Sequence, residues 1–185
     1  SPHQSRAGGK SVTAPEGRPL LRAAVSQAEE KDQFMIKNPA FYFNSELCTG
    51  CKACAKEERC AYPDLDALDK SLRACDLLVV ASPVYNFSFP APVKAWLDRT
   101  QRYFEALGKK PPIPKHRQAV LLLTMGSQDE FAVKVCTHQL ERAFSVMNTT
   151  LSAWAVWDAT DRGDERKAGA QAAARAIALE ILGKM

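Results

Sequence analysis

The chain has 185 residues, 46% of them hydrophobic and 25% charged, enough for one domain with a substantial buried core. Its 25 Lys and Arg outnumber its 21 Asp and Glu by only four, and the charges are spread along the chain. Neither a nucleic-acid tract nor a polybasic membrane patch is therefore indicated. No apolar run approaches the roughly 20 residues that span a bilayer, and no signal-peptide pattern opens the sequence, so a cytoplasmic protein is expected.

Residues 1–17, rich in Gly, Ser, Pro and basic side chains, read as a loop. Pro19 is a favourable first-turn residue, and a helix is predicted from there through Leu20 and Val25 towards Lys31. Phe34-Met35-Ile36 and Phe41-Tyr42-Phe43 mark a strand within 33–43, followed by a loop carrying Cys48, Cys51, Cys54 and Cys60. Leu65, Leu68 and Leu72 recur at helical spacing over 63–75. Leu77-Leu78-Val79-Val80-Ala81 is a continuous apolar run bounded by Asp76 and Ser82-Pro83, as expected for a strand buried on both faces of a parallel sheet. A helix over 92–107 carries Val93, Trp96 and Leu97 on one side, and Pro111, Pro112 and Pro114 then break the chain.

A second buried strand follows at 119–123. Ala132, Val135, Cys136, Leu140, Ala143, Phe144 and Met147 make one apolar stripe, predicting an amphipathic helix over 130–147. Residues 151–157 read as a third strand and 164–185 as an Ala-rich closing helix. The alternation predicts an α/β fold: a doubly wound parallel sheet between two helical layers, in a single domain over 1–185. Such a sheet places its first strand centrally, and none precedes Ser1-Pro2, so the first strand is expected to be missing from the sequence.

Ligands of open parallel sheets bind at the carboxyl ends of the strands, where 1–11, 82–89 and 124–129 would meet. The first segment combines Ser1, His3, Ser5, Arg6, Lys10 and Ser11 with two glycines ahead of a helix. Donors, close backbone approach and positive potential suit a phosphate; a solvated tail is the alternative. Gly9-Lys10-Ser11 does not complete a nucleotide P-loop, because Gln4 stands where that motif needs its first Gly.

Residues 82–99 read Ser-Pro-Val-Tyr-Asn-Phe-Ser-Phe-Pro-Ala-Pro-Val-Lys-Ala-Trp-Leu-Asp-Arg. This stretch resembles the NAD(P)H-dependent FMN reductases, quinone reductases and azoreductases of the flavodoxin-like class. They carry a Pro-x-Tyr-Asn-Phe turn followed by Pro-Ala-x-x-Lys and Asp-Arg. The resemblance implies that Pro83, Val84, Tyr85, Asn86, Phe87 and Ser88 lie against a flavin ring. It likewise implies that Thr124, Met125, Gly126 and Ser127 form a second flavin-contacting loop. Ser1-Pro2 matches the opening of the family's phosphate loop, although the loop is longer here and Pro15, Gly17 and Pro19 delay the helix. Aromatics that merely cap a strand end are the plainer reading of Tyr85 and Phe87. The family also implies FMN as cofactor, NAD(P)H as co-substrate, and a quinone, an azo or nitro aromatic, or another flavin as small-molecule electron acceptor. It implies a homodimer or higher homo-oligomer, with the flavin rather than a protein group performing the chemistry.

The spacing Cys48-x2-Cys51-x2-Cys54-x5-Cys60 looks like the compact motif of iron–sulfur flavoproteins, which implies a [4Fe–4S] cluster beside FMN and a ferredoxin-type redox partner. Four thiolates also suit zinc, and cluster-free reductases carry a similar stretch, so cluster, zinc and free thiols stay open. Cys75 and Cys136 are expected in the core. His138 is read as structural, and Trp154 and Trp157 as packing or covering a subunit interface. Two rival functions are a non-enzymatic flavodoxin-type electron carrier, against which the slightly basic charge argues, and a metal or thiol module without flavin.

Overall fold

The computed structural model describes residues 46–57, 59–106, 113 and 115–182. The expected phosphate loop, the helix from Pro19 and the strand within 33–43 lie outside the described residues. In chain order the elements are α1 (Ala53–Glu57), a 3-10 turn (Pro63–Leu65), α2 (Asp66–Ala74), β1 (Leu77–Pro83), α3 (Ala91–Arg99) and α4 (Gln101–Ala106). Then follow β2 (Arg117–Thr124), α5 (Glu130–Ser145), β3 (Thr149–Trp157), a second 3-10 turn (Thr160–Arg162) and α6 (Lys167–Leu182).

The three strands form a parallel sheet in the order β1-β2-β3. Leu77 pairs with Gln118 and Pro83 with Thr124; Arg117 pairs with Thr149 and Thr124 with Trp157, with one register shift at Ala119/Val120. Parallel neighbours need a crossover. Here α3 and α4 connect β1 to β2, and α5 connects β2 to β3.

Period-two alternation distributes the apolar residues of β2 between two cores. Ala119, Leu121 and Leu123 join Trp96, Leu140, Phe144 and Met147 on one face. Val120 and Leu122 join Ala155, Trp157, Ala170, Ala174 and Ile181 of β3 and α6 on the other. Leu121, Leu122 and Leu123 have no exposed surface, which accounts for the uninterrupted apolar run. The sheet is thus covered on both sides, and the doubly wound α/β arrangement expected from the sequence is observed over the described residues.

Two elements differ from expectation. The helix expected over 92–107 is divided at Thr100, whose buried hydroxyl donates to the Leu97 carbonyl at 2.7 Å. That bond competes with the helical ladder, a known cause of helix bending. The cysteine segment, expected as a loop, contains the one-turn α1, entered through left-handed backbone at Gly50 and Lys52.

Helix α2 is fastened to α4 by a polar cluster at its edge. The Asp69 carboxylate accepts from Arg73 Nε at 2.8 Å and from the Tyr103 hydroxyl, and pairs with Arg102 Nη2 at 2.6 Å. Burial alone would raise the Asp69 carboxyl, but the hydrogen bonds from Arg73 and Tyr103 and the nearby positive charges outweigh it and hold the carboxyl below its ordinary value. Stability from such a group is present above the unfolded carboxylate value near 4 and is lost as pH falls through the folded value. Asp69→Asn is expected to lower unfolding free energy by about 1–3 kcal/mol at pH 7. In urea titrations the gap from the parent chain should close as pH is lowered below about 4.

Candidate functional site

The carboxyl ends of β1, β2 and β3 each run into a short loop; the first is bonded to the end of β2, and the second and third are bonded to each other. After β1, Val84 N–H donates to the Thr124 carbonyl at 2.8 Å, fixing the start of the first loop to the end of β2. Tyr85 and Ser88 then exchange two backbone hydrogen bonds, 2.9 and 3.0 Å long, around Asn86 and Phe87. Both central residues have positive φ, 49° and 61°, as in the tight turns that join twisted strands. Asn tolerates that conformation well; Phe does so rarely, so Phe87 stores backbone strain.

The strain is held by anchors on either side. Pro83 and Phe89 are buried, and the Gln139 side-chain amide of α5 donates to Ser88 Oγ at 3.0 Å. Tyr85 and Phe87 nevertheless remain 55% exposed, and Phe87 meets Phe131 of α5 edge-on with ring centroids 6.2 Å apart. The result is a rigid turn presenting aromatic rings to solvent at a strand end.

In the second loop Met125 is buried, its N–H donating to the Trp157 carbonyl at 3.0 Å. At Gly126 the exposed Asp161 carboxylate occupies the space a side chain would take: a Cβ there would lie 2.7 Å from Asp161 Cγ, so a larger residue would displace that carboxylate. Asp129 caps α5 by accepting from Ala132 N–H at 2.9 Å. The Thr124 hydroxyl is buried at this end of the sheet with no hydrogen-bond partner among the described residues, as is Trp157 Nε1. Buried polar groups are normally satisfied. An exposed aromatic turn at the same strand end as an unpartnered buried hydroxyl suits a bound planar ligand with polar edges, and FMN is such a ligand.

The sequence-derived residues Pro83, Val84, Tyr85, Asn86, Phe87, Ser88, Thr124, Met125, Gly126 and Ser127 are thus joined at one end of the sheet. Ser1, His3, Ser5, Arg6, Lys10 and Ser11 lie outside the described residues. Sequence reasoning passed over the segment after β3, where Ala159 is left-handed and Thr160 and Asp161 bond back to the second loop. Its signal was available: Asp158-Ala-Thr-Asp-Arg-Gly163 is a cluster of turn formers directly after a parallel strand.

The cysteine segment is organised by Arg99, the last residue of α3. Its side chain is 1% exposed and contacts both Asp64 oxygens at 2.7 and 2.5 Å, the Tyr62 carbonyl at 2.7 Å, the Glu46 carbonyl at 3.3 Å and Cys60 Sγ at 3.2 Å. Cys48 and Cys51 are exposed, and Cys54 and Cys60 are half-buried. Burial raises the Cys54 thiol above its ordinary value, reinforced by the charges of Glu105, Cys60 and Cys48. The donors have the chemistry of a metal or cluster site, but among the described residues no three His, Cys, Asp or Glu side chains stand together as ligands.

Elsewhere, burial pushes the fully enclosed Cys136 thiol up to about 11, and Cys75 closes the end of α2 half-buried. His138 is on the surface, 3.6 Å from Glu141. Trp157 is buried beneath Lys167, whereas Trp154 is half exposed. Among the described residues, no helix is long and apolar enough to cross a membrane.

A family model described as flavodoxin-like fold matches residues 17–181. The chain belongs to that family. It is 33% identical over 84 residues to an iron-sulfur flavoprotein of Methanosarcina thermophila, covering 44% of this chain and 43% of that protein. It is 44% identical over 98 residues to an FMN-dependent NADH:quinone oxidoreductase 2 of Pseudomonas putida, covering 46% and 48%. The matched stretches span between 22% and 56% of such relatives' own lengths. Among solved structures, the fold is shared with an NAD(P)H:quinone oxidoreductase from Methanothermobacter marburgensis, with a TM-score of 0.70 at 19% identity over 91% of this chain and 90% of that one. In this flavodoxin-like chain the family's sheet carries its loops at the expected edge.

Breaking a buried ion pair by removing one partner leaves the other charge uncompensated. Arg99→Met is expected to cost about 3–5 kcal/mol in urea unfolding. Arg99→Lys should recover part of that, since it keeps a charge for Asp64 but loses the forked contacts.

Proposed function

We propose that the chain binds FMN where β1 and β2 end and serves as an NAD(P)H-dependent oxidoreductase for a small acceptor: a quinone, an azo or nitro aromatic, or a free flavin. The observation that carries this reading is the strained, anchored turn Tyr85–Ser88, which presents two exposed aromatic rings at the end of β1 and is tied by Val84 N–H to the Thr124 carbonyl at the end of β2. Names carried by relatives, FMN-dependent NADH:quinone oxidoreductase among them, support it.

When bound, FMN supplies the redox chemistry, taking up a hydride and giving electrons onward. The chain's own residues bind and orient. Tyr85 and Phe87 offer apolar faces on a backbone that cannot relax, because Gln139 and the Tyr85–Ser88 pair hold it. Pre-organisation of this kind lowers the ordering cost of binding. The second loop adds main-chain groups at the same strand end, its Met125, Gly126 and Ser127 carbonyls being taken up by 159–161. Ser1, His3, Ser5, Arg6, Lys10 and Ser11 supply the donors and positive charge for the phosphate. No side chain is asked to act as a catalytic acid or base.

The reading is tested by the visible absorption of the purified chain mixed with FMN, followed by NAD(P)H oxidation with a benzoquinone. Bound flavin and steady turnover are expected, and Phe87→Ala should weaken FMN binding about tenfold, the scale of one lost aromatic contact. A chain that takes up no FMN overturns the reading; FMN binding without turnover leaves an electron carrier of the flavodoxin type.

A second reading, an iron–sulfur flavoprotein, is favoured by four thiols within thirteen residues, one of which, Cys60, is held by Arg99, and by the similarity to the Methanosarcina protein. It requires segment 46–62 to draw the thiols closer than they stand. Iron and acid-labile sulfide measured on anaerobically purified chain should then reach about four each per chain; their absence removes the cluster and leaves the flavin reading intact.

A further inference from the structure

Three successive carbonyls of the second loop are taken up by the segment after β3. Met125, Gly126 and Ser127 accept from the N–H groups of Thr160, Asp161 and Ala159 at 3.1, 3.4 and 3.4 Å, and Thr160 Oγ1 adds a bond to the Met125 carbonyl at 3.2 Å. In a trans peptide the carbonyl and the following N–H point in opposite directions. The N–H groups of Gly126, Ser127 and Gln128 are therefore turned away from 159–161, and they have no backbone partner among the described residues. A row of donors faces outward at the strand end.

Behind that row sits one carboxylate. The Asp161 carboxylate, itself exposed, stands in the space a Cβ at Gly126 would occupy, with Cγ 2.7 Å from that position. The other acids of the segment are neutralised, Asp158 by Arg166 at 2.6 Å and Asp164 by Lys167 at 2.8 Å. Asp161 makes no ion pair among the described residues, not even with Arg162 beside it in sequence.

We propose that Asp161 tunes the bound flavin, its negative charge disfavouring the reduced, anionic form and so making the flavin a stronger reductant. The proposal rests on the FMN reading above. Charge close to the ring is one of the levers by which a protein sets a flavin's electronics. Asp161 is a positioning and tuning residue rather than a catalytic one: it shapes the second loop through Gly126 and acts through its field.

The experiment compares FMN dissociation constants in the oxidised and dithionite-reduced states for the parent chain, Asp161→Asn and Asp164→Asn. Asp161→Asn keeps the size of the side chain and the backbone bond from residue 161 while removing the charge. It should shift the affinity ratio about threefold in favour of reduced FMN, the scale of one nearby charge in a partly solvated site. Asp164→Asn, which removes a charge already paired, should leave the ratio unchanged. An unchanged ratio in Asp161→Asn, or an equal shift in Asp164→Asn, overturns the assignment. A parent chain that binds FMN in neither state overturns the flavin reading itself and this inference with it, a result visible before any variant is compared.

Discussion

A parallel strand with neighbours on both edges and helices on both faces has no side open to water, and β2 lives under that constraint. From Ala119 to Thr124 it carries no charge, and its side chains divide alternately between the two cores. Everything else is placed by reference to it. β1 and β3 take their register from it, α5 leaves from its end, and the loops that follow all three strands are tied to the residues where it stops. A slip of one residue would exchange the two faces and open both cores together.

The candidate site lies where this strand ends. Main-chain bonds link Val84 to Thr124, Met125 to Trp157 and Thr160 to Met125, so three chain segments far apart in sequence behave as one rim. Rigidity there is what allows Phe87 to keep an unfavourable backbone conformation while its ring stays exposed. Strain at a solvent-facing position has no value for stability, which is why the turn reads as a surface shaped for a ligand.

How far the sequence revealed this depends on the range of the interactions involved. The runs 77–81 and 119–123 were legible because continuous burial leaves a continuous apolar signature. The stripe from Ala132 to Met147 was legible because helical periodicity is local. The division at Thr100 was not, since it turns on one hydroxyl bond back to Leu97 that competes with helix formation. The Tyr85–Ser88 turn was found through resemblance, its aromatic and amide residues being unusual in a strand-end loop. Asp161 and Arg99 escaped because their partners, Gly126 and Asp64, lie 35 residues away in each case and no periodic pattern joins them. The residues expected to hold a phosphate, from Ser1 to Ser11, fall outside the described region, so that part of the reading rests on sequence.

Arg99 closes a helix whose first residue stands three positions after Ser88, so a single nine-residue rod has the aromatic turn at one end and the cysteine segment at the other. Its guanidinium is enclosed and shared among Asp64, two main-chain carbonyls and a thiol. A buried charge cannot be dropped without stranding its counter-charge, so a substitution that removes either charge alone is costly. Trimming that segment away, in evolution or at the bench, therefore demands replacing Arg99 and Asp64 together. A chain that shed its cysteines one by one would still keep the arginine fork as the scar of where they had been moored.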